Sequence, residues 1–131
     1  MPFAHIVLAL ALLEFFWFAL AVARARETYK VPAPAITGNE VFERYFRVQM
    51  NTLEQLVVFL PAIWLFGHYV NAWAAAALGA LFIIGRALYF RGYTQTPEAR
   101  HAGFVLSAIP NVTLLVGALI GVVRAILLSP A

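Results

Sequence analysis

No cysteine occurs in the 131-residue sequence. That absence excludes a disulfide framework and a thiolate metal site, and it leaves the redox compartment unmarked. Any reactive thiol in this protein's chemistry must arrive on a ligand. Charge is the second scarcity: charged residues make up 11% of the chain, against about 25% in soluble domains. What fills the gap is apolar, with 63% hydrophobic residues and a mean hydropathy of +0.84. Such a chain reads as an all-α integral membrane protein. Its length suits one domain over residues 1–131, with no room for a soluble module beside several spans. His5, His68 and His101 are too scattered for ligand spacing, so no metal site is expected.

Long hydrophobic runs place the spans. Phe3 to Ala23 holds one formal charge, Glu14, and is long enough to cross a hydrocarbon core of roughly 30 Å as a helix. Ala21-Val-Ala23 resembles a signal-peptide cleavage site. However, Met1 to His5 carries no basic residue and the apolar run exceeds the usual ~7–15 residues, so the segment is expected to remain as a span. Gly103 to Leu128 forms another, with Pro110 inside it and Arg124 near its far end; neighbouring helices can absorb such a proline. Between them, Gln55 to Gly85 lacks Asp, Glu, Lys and Arg, yet it is too long for one span and too short for two of about 20 residues each. Two helices turning near "GHYVNA" (residues 67–72) must therefore borrow from the polar flanks. Four spans follow, at about residues 3–23, 47–67, 72–91 and 103–128, which draws Asn51, Glu54, Arg86 and Tyr89 inside the membrane boundary.

The basic residues then set an orientation. Arg24, Arg26, Lys30, Arg44 and Arg47 lie in or beside the first loop, and Arg86, Arg91 and Arg100 flank the third, leaving only Arg124 elsewhere. The positive-inside rule makes that side cytoplasmic, with both termini outside. A bacterial inner membrane is the expected location. Tyr69 and Trp73 at the second loop suit interfacial anchoring.

Two local signals mark helix starts beside this basic face. "TGNE" (residues 37–40), after the helix-breaking "VPAPAITG", has the spacing of a capping box. "TPEAR" (residues 96–100) offers a capping Thr, a Pro at the first helical position and an acid in the first turn. It predicts Arg100 in the opening turn of the fourth helix.

Residues three, four or seven apart share a helix face, so Arg47, Asn51 and Glu54 line up while Gln49 points away. Arg86, Tyr89 and Tyr93 form a second stripe at the same depth. Ionisable groups within a bilayer usually face a bundle interior or a wet cavity. Arginines grip carboxylates, Glu54 suits an ammonium, and Asn51 and the tyrosines suit amides and hydroxyls. Together they form an inventory for a small zwitterionic, peptide-like ligand. A plainer reading also stands: Arg47 pairs with Glu54 or Glu43, and the remaining arginines and tyrosines anchor helices at the headgroups.

"FERYFRVQMNTLEQLVVFLPAIWLFG" (residues 42–67) with "RALYFRGYTQTPEAR" (residues 86–100) resembles the MAPEG family, membrane-associated proteins in eicosanoid and glutathione metabolism. The similarity is to its cysteinyl-leukotriene synthase and microsomal glutathione transferase branch. It runs from about Arg26 to Arg100, with the first and fourth helices matching in hydrophobicity alone. The resemblance implies a homotrimer of four-helix subunits, with glutathione as co-substrate in a cytoplasm-side crevice between two of them. It further implies that Arg47, Asn51, Glu54, Tyr89 and Tyr93 bind glutathione from one subunit, and Arg26 and Gln49 from its neighbour. Arg100 matches the catalytic arginine that holds the glutathione sulfur as a thiolate, and Arg86 is a further candidate contact.

Two positions depart from the leukotriene branch. Gln55 stands in place of a tyrosine, and Glu27 in place of a second arginine. The expected activity is accordingly a broader transferase, or peroxidase, acting on hydrophobic electrophiles that arrive from the lipid. The rivals are a noncatalytic lipid-binding member of the family and a small proton-coupled drug transporter built on the mid-membrane Glu14. "NVT" at Asn111 lies within a span and is set aside as a glycosylation signal. Pro61 and Pro110 are expected to shape a lipid-facing groove.

Overall fold

The computed structural model describes residues 1–129. Those residues form four long helices: α1 (Pro2–Tyr29), α2 (Glu40–Tyr69), α3 (Ala72–Gln95) and α4 (His101–Leu128), with a short 3-10 turn at Pro97–Arg100 before the last. No strand occurs among the described residues. Four segments are long and apolar enough to cross a membrane. The fold is an all-α bundle and the protein a multi-pass integral membrane protein.

The helices outrun their apolar stretches where the sequence supplies caps. α1 continues to Tyr29 and stops at Lys30, whose backbone is left-handed (φ 56°, ψ 50°) and whose N–H bonds Arg26 O. A non-glycine residue in that conformation costs roughly 1–2 kcal/mol. Arg26 helps hold it, since Nη1 of the same residue donates to Val31 O at 3.2 Å and Ala35 O at 2.7 Å. Val31 is buried against Val22, Ala25 and Phe42.

The start of α2 differs from the capping box expected at Thr37–Glu40. The cap is Asn39, whose Oδ1 accepts from Val41 N (2.9 Å) and Phe42 N (3.0 Å). The returning acid is Glu43, whose Oε2 accepts from Gly38 N at 3.2 Å. The reason lies in Gly38, with φ of 129°, a conformation that glycine tolerates and residues with a Cβ resist. It turns the chain so that Asn39 enters extended (φ −154°, ψ 126°), as an N-cap must.

α2 and α3 are joined through Val70 and Asn71, and Asn71 Oδ1 caps α3 by accepting from Ala74 N at 2.9 Å. Thr96 Oγ1 accepts from Ala99 N at 3.2 Å, yet it opens the 3-10 turn and not α4 itself. Arg100 consequently ends that turn and precedes the first α-helical residue, His101. Arg100 thus lies in the opening turn of the fourth helical segment, Pro97–Leu128, and that turn is 3-10, a common form at helix N-termini.

Apolar helices gain nothing by leaving lipid for one another, so close packing and hydrogen bonds must hold the bundle. Phe59 of α2 stacks on Phe82 of α3 with centroids 4.0 Å apart, surrounded by Ala62, Ile63, Ala75, Leu114 and Ala118. α3 and α4 meet backbone to backbone at two glycines. A Cβ on Gly85 would overlap Ser107 and Leu106, and one on Gly103 would overlap the backbone of Tyr89. This contact fixes Tyr89 of α3 against the start of α4. Large side chains such as Leu13, Phe16, Ile109 and Leu127 point outward, as a lipid-facing surface requires.

Candidate functional site

Arg47, Asn51 and Glu54 of α2, Tyr89 and Tyr93 of α3, and Arg100 converge on one cavity of about 300 Å³. The helical spacing of each stripe and the α3–α4 glycine contact put them there together. His101 and Phe104 of α4 complete the wall. A second cavity of about 430 Å³ shares Arg47 and Tyr93 with the first and adds Glu40, Glu43, Arg44 and Pro97. The site thus opens toward the polar helix ends. Arg44 closes part of that entrance by donating to Gln95 O through Nη1.

Burial grades from mouth to floor: Arg47, Glu54 and Arg100 are exposed, Asn51 and Tyr93 half-buried, and Tyr89 buried. Arg100 is steered by two contacts. Its Nη1 donates to Pro97 O at 3.1 Å, and its Cζ lies 5.4 Å from the centroid of Tyr93. Tyr93 in turn meets Tyr89 edge to face at 5.5 Å. Chemically, the cavity is lined by two guanidinium cations, one carboxylate, a side-chain amide and two phenols. The anionic end of a small peptide could lie along Arg47 or Arg100, and its ammonium against Glu54.

Three sequence-derived candidates lie off this cavity. Arg86 is wholly buried behind it, with Nη1 donating to Asn51 Oδ1 at 2.8 Å and Cζ 4.2 Å from the Tyr89 centroid. It begins the Arg86, Tyr89, Tyr93 stripe but is turned into the bundle. Arg26 spends its guanidinium on the first loop, with Cζ 4.8 Å from the Phe42 centroid, and Gln49 sits half-buried on another face of α2. His101 and Phe104 escaped sequence reasoning. Their signal was weak: His101 directly follows Arg100, and Phe104 lies one helical turn beyond it.

Gln55 faces away from the cavity and accepts from Asn111 Nδ2 through Oε1 (2.9 Å) and O (3.2 Å). Asn111 is therefore a buried interhelical tie. Glu14 of α1 is half-buried, and the charge that acts on it is Arg86. No cluster of His, Cys, Asp or Glu that could hold a metal occurs among the described residues.

The chain is similar to known proteins over nearly its whole length. An uncharacterized protein, sll1147, of Synechocystis is 48% identical over 117 residues, which is 89% of this chain and 85% of that one. Human microsomal glutathione S-transferase 2 is 45% identical over 104 residues, covering 79% and 71%. Rat leukotriene C4 synthase is 35% identical over 119 residues, covering 85% and 79%. The model of the MAPEG family matches residues 3–120, so α1 and most of α4 join the stretch between Arg26 and Arg100 that carried the resemblance. With four membrane-length helices and this match, the chain belongs to the MAPEG family.

Proposed function

We propose that this protein is a membrane-embedded glutathione transferase that binds glutathione in the cavity between α2, α3 and Arg100 and conjugates it to hydrophobic electrophiles. The carrying observation is the convergence of Arg47, Asn51, Glu54, Tyr89, Tyr93 and Arg100 on a single cavity in a chain 45% identical to a microsomal glutathione S-transferase. At about 300 Å³, that cavity lies at the small end of the range for ligand sites. This fits a site that one subunit completes for another. We assign Arg26 and Gln49, which lie off the cavity of their own chain, to the neighbouring subunit's cavity in a homotrimer on the strength of the family resemblance; Arg26 would have to exchange its bonds to Val31 O and Ala35 O for the ligand.

The chemistry follows from the thiol that the protein lacks and the ligand brings. Only the thiolate attacks well, and a free thiol with a pKa of about 8.5 is a few per cent ionised at neutral pH. Arg100, exposed at the cavity edge beside the Tyr93 ring, is the cation that stabilises the anion. Lowering the thiol pKa by about two units corresponds to about 2.7 kcal/mol. The sulfur then bonds to an electrophilic carbon, and the pair of electrons in the broken bond departs with the leaving group, or with the oxygen of an opened epoxide that takes a proton from water.

The site's polar mouth and the clustered basic residues face the cytoplasm in this reading, and both termini face outward. Gln55, tied to Asn111, places no phenol in the cavity, which favours a broad transferase over leukotriene synthesis. The decisive measurement is a glutathione titration of the purified protein in detergent, monitored by thiolate ultraviolet absorbance. Turnover of aryl halides, lipid epoxides and hydroperoxides would follow it. Saturable thiolate formation supports the reading, and absence of glutathione binding overturns it.

A further inference from the structure

Arg86 is a guanidinium that the bundle encloses completely, with no measurable exposure. It lies behind the cavity and touches two of its lining residues: Nη1 donates to Asn51 Oδ1 at 2.8 Å, and Cζ sits 4.2 Å from the Tyr89 centroid. These contacts come from α2 and α3, and its Nε and Nη2 are buried with no hydrogen-bond partner among the described residues. A cation buried at this depth is expensive in a membrane and points to a role.

An arginine side chain carries donors and no acceptor. Whichever way the Asn51 amide is set, its oxygen is therefore the atom that must face Arg86. That fixes the other end: the Nδ2 amino group is what Asn51 has left for the cavity. The remaining lone pair of Oδ1 is a poor landing point for a ligand cation, because the Arg86 charge lies immediately behind it. A ligand ammonium is steered instead to Glu54, one helical turn along the same face.

We propose that Arg86 is a positioning residue that makes Asn51 a donor-only subsite, which recognises an acceptor oxygen of the ligand, a peptide carbonyl or a carboxylate. The inference rests on the glutathione reading above and adds the direction in which the peptide lies: ammonium end at Glu54, acceptor oxygen at Asn51. Arg86 need not touch the ligand to do this. The buried guanidinium sets the polarity of a side chain that does.

A double-mutant cycle tests the assignment. Glutathione affinity in detergent is measured for wild type, Arg86→Met, Asn51→Ala and the double variant, with thermal unfolding followed alongside. Losing a hydrogen bond to a charged group corresponds to about tenfold or more, so Arg86→Met is expected to bind glutathione about tenfold more weakly. If Arg86 acts through Asn51, adding Arg86→Met to Asn51→Ala weakens binding no further. Independent, additive losses would overturn the proposal, because a merely structural Arg86 would harm either background equally. Should Arg86→Met fail to fold, Arg86→Lys retains a donor-only cation, and partial recovery of affinity that vanishes in the Asn51→Ala background is the same signature. Wild-type protein that binds no glutathione would instead overturn the functional reading itself, whereas wild-type binding with an additive cycle removes only the role of Arg86.

Discussion

α2 and α3 each pass through two regions built on opposite terms. Around Phe59, Ile63, Ala75 and Phe82, joined by Leu114 and Ala118 of α4, the interior is aliphatic and aromatic. One or two turns away, Thr52 of α2, Arg86 of α3, and Ser107 and Asn111 of α4 are buried polar side chains. The first region is held by shape, since lipid is as apolar as its side chains and rewards only good packing. The second carries polar contacts: Arg86 Nη1 donates to Asn51 Oδ1 and Asn111 Nδ2 to Gln55 Oε1 between helices, and Ser107 Oγ to Gly103 O at 3.0 Å within α4, whereas Thr52 Oγ1, Arg86 Nε and Nη2, and Asn111 Oδ1 have no hydrogen-bond partner among the described residues. Changes to shape should therefore move stability, and changes to partners should move function.

The largest expected effect lies in the apolar region. Phe82→Ala removes a fully buried ring stacked on Phe59 and is expected to destabilise the bundle by about 3 kcal/mol, the lower end for such truncations. The folded fraction should bind glutathione with unchanged affinity. Unfolding in detergent and titration of the same sample check both halves. A large loss of affinity without loss of stability would break the division.

Arg100→Ala is the mirror case, next in size. Arg100 is exposed and its visible contacts are one carbonyl and one ring face. Stability should stay within about 0.5 kcal/mol of wild type, as for surface changes generally. Thiolate absorbance and turnover should fall by up to about a hundredfold, equivalent to about 2.7 kcal/mol of thiolate stabilisation. Glutathione binding should survive within a few-fold. Retained thiolate absorbance in the variant would remove Arg100 from the chemistry.

Two glycines sharpen the division at a smaller scale. A Cβ on Gly103 meets the backbone of Tyr89, whereas one on Gly117 meets the ring of Phe66. Gly103→Ala must push α3 from α4 beneath the cavity, at a cost of about 1–3 kcal/mol, and glutathione affinity should fall with stability. Gly117→Ala displaces a side chain in the apolar region, so stability should fall less and affinity should hold. Equal effects of the two on affinity would show that the regions are mechanically coupled.

The same contrast explains what could be seen from sequence. The four helices were legible because apolar runs and charge gaps are one-dimensional quantities, and the bundle they imply is present. The stripe of Arg47, Asn51 and Glu54 was legible because helical period alone brings those residues to one face. Arg86 was harder: positions three and seven apart share a broad face, and the first member of its stripe turned inward while Tyr89 and Tyr93 reached the cavity. His101 and Phe104 carried no periodic charge to distinguish them, and the α3–α4 contact that brings them in depends on glycines 85 and 103, which have no side chain to pattern. The cap at Asn39 moved because the backbone conformation of Gly38, which no composition rule reveals, decided where α2 could start. Asn111, set aside as a glycosylation signal because it lies within a span, is a buried tie between helices, a role visible only once Gln55 stands opposite it.

The smallest expected effect compares two caps of similar chemistry at opposite ends of the bundle. Asn71 caps α3 at the apolar end through Ala74 N, and Thr96 caps the 3-10 turn at the polar end through Ala99 N. Replacing either by Ala should cost about 1 kcal/mol of stability, the usual value for a lost N-cap. Their functional consequences should differ, because the Thr96 turn carries Arg100, whose Nη1 donates to Pro97 O within it. Loosening that turn leaves the cation in place by sequence but less fixed in position. Thr96→Ala should therefore lower thiolate absorbance several-fold at saturating glutathione with little change in binding, while Asn71→Ala leaves both unchanged. If the two variants match in stability and also in thiolate yield, Arg100 needs only proximity and not orientation, and the division between shape and partners stops at the cavity edge.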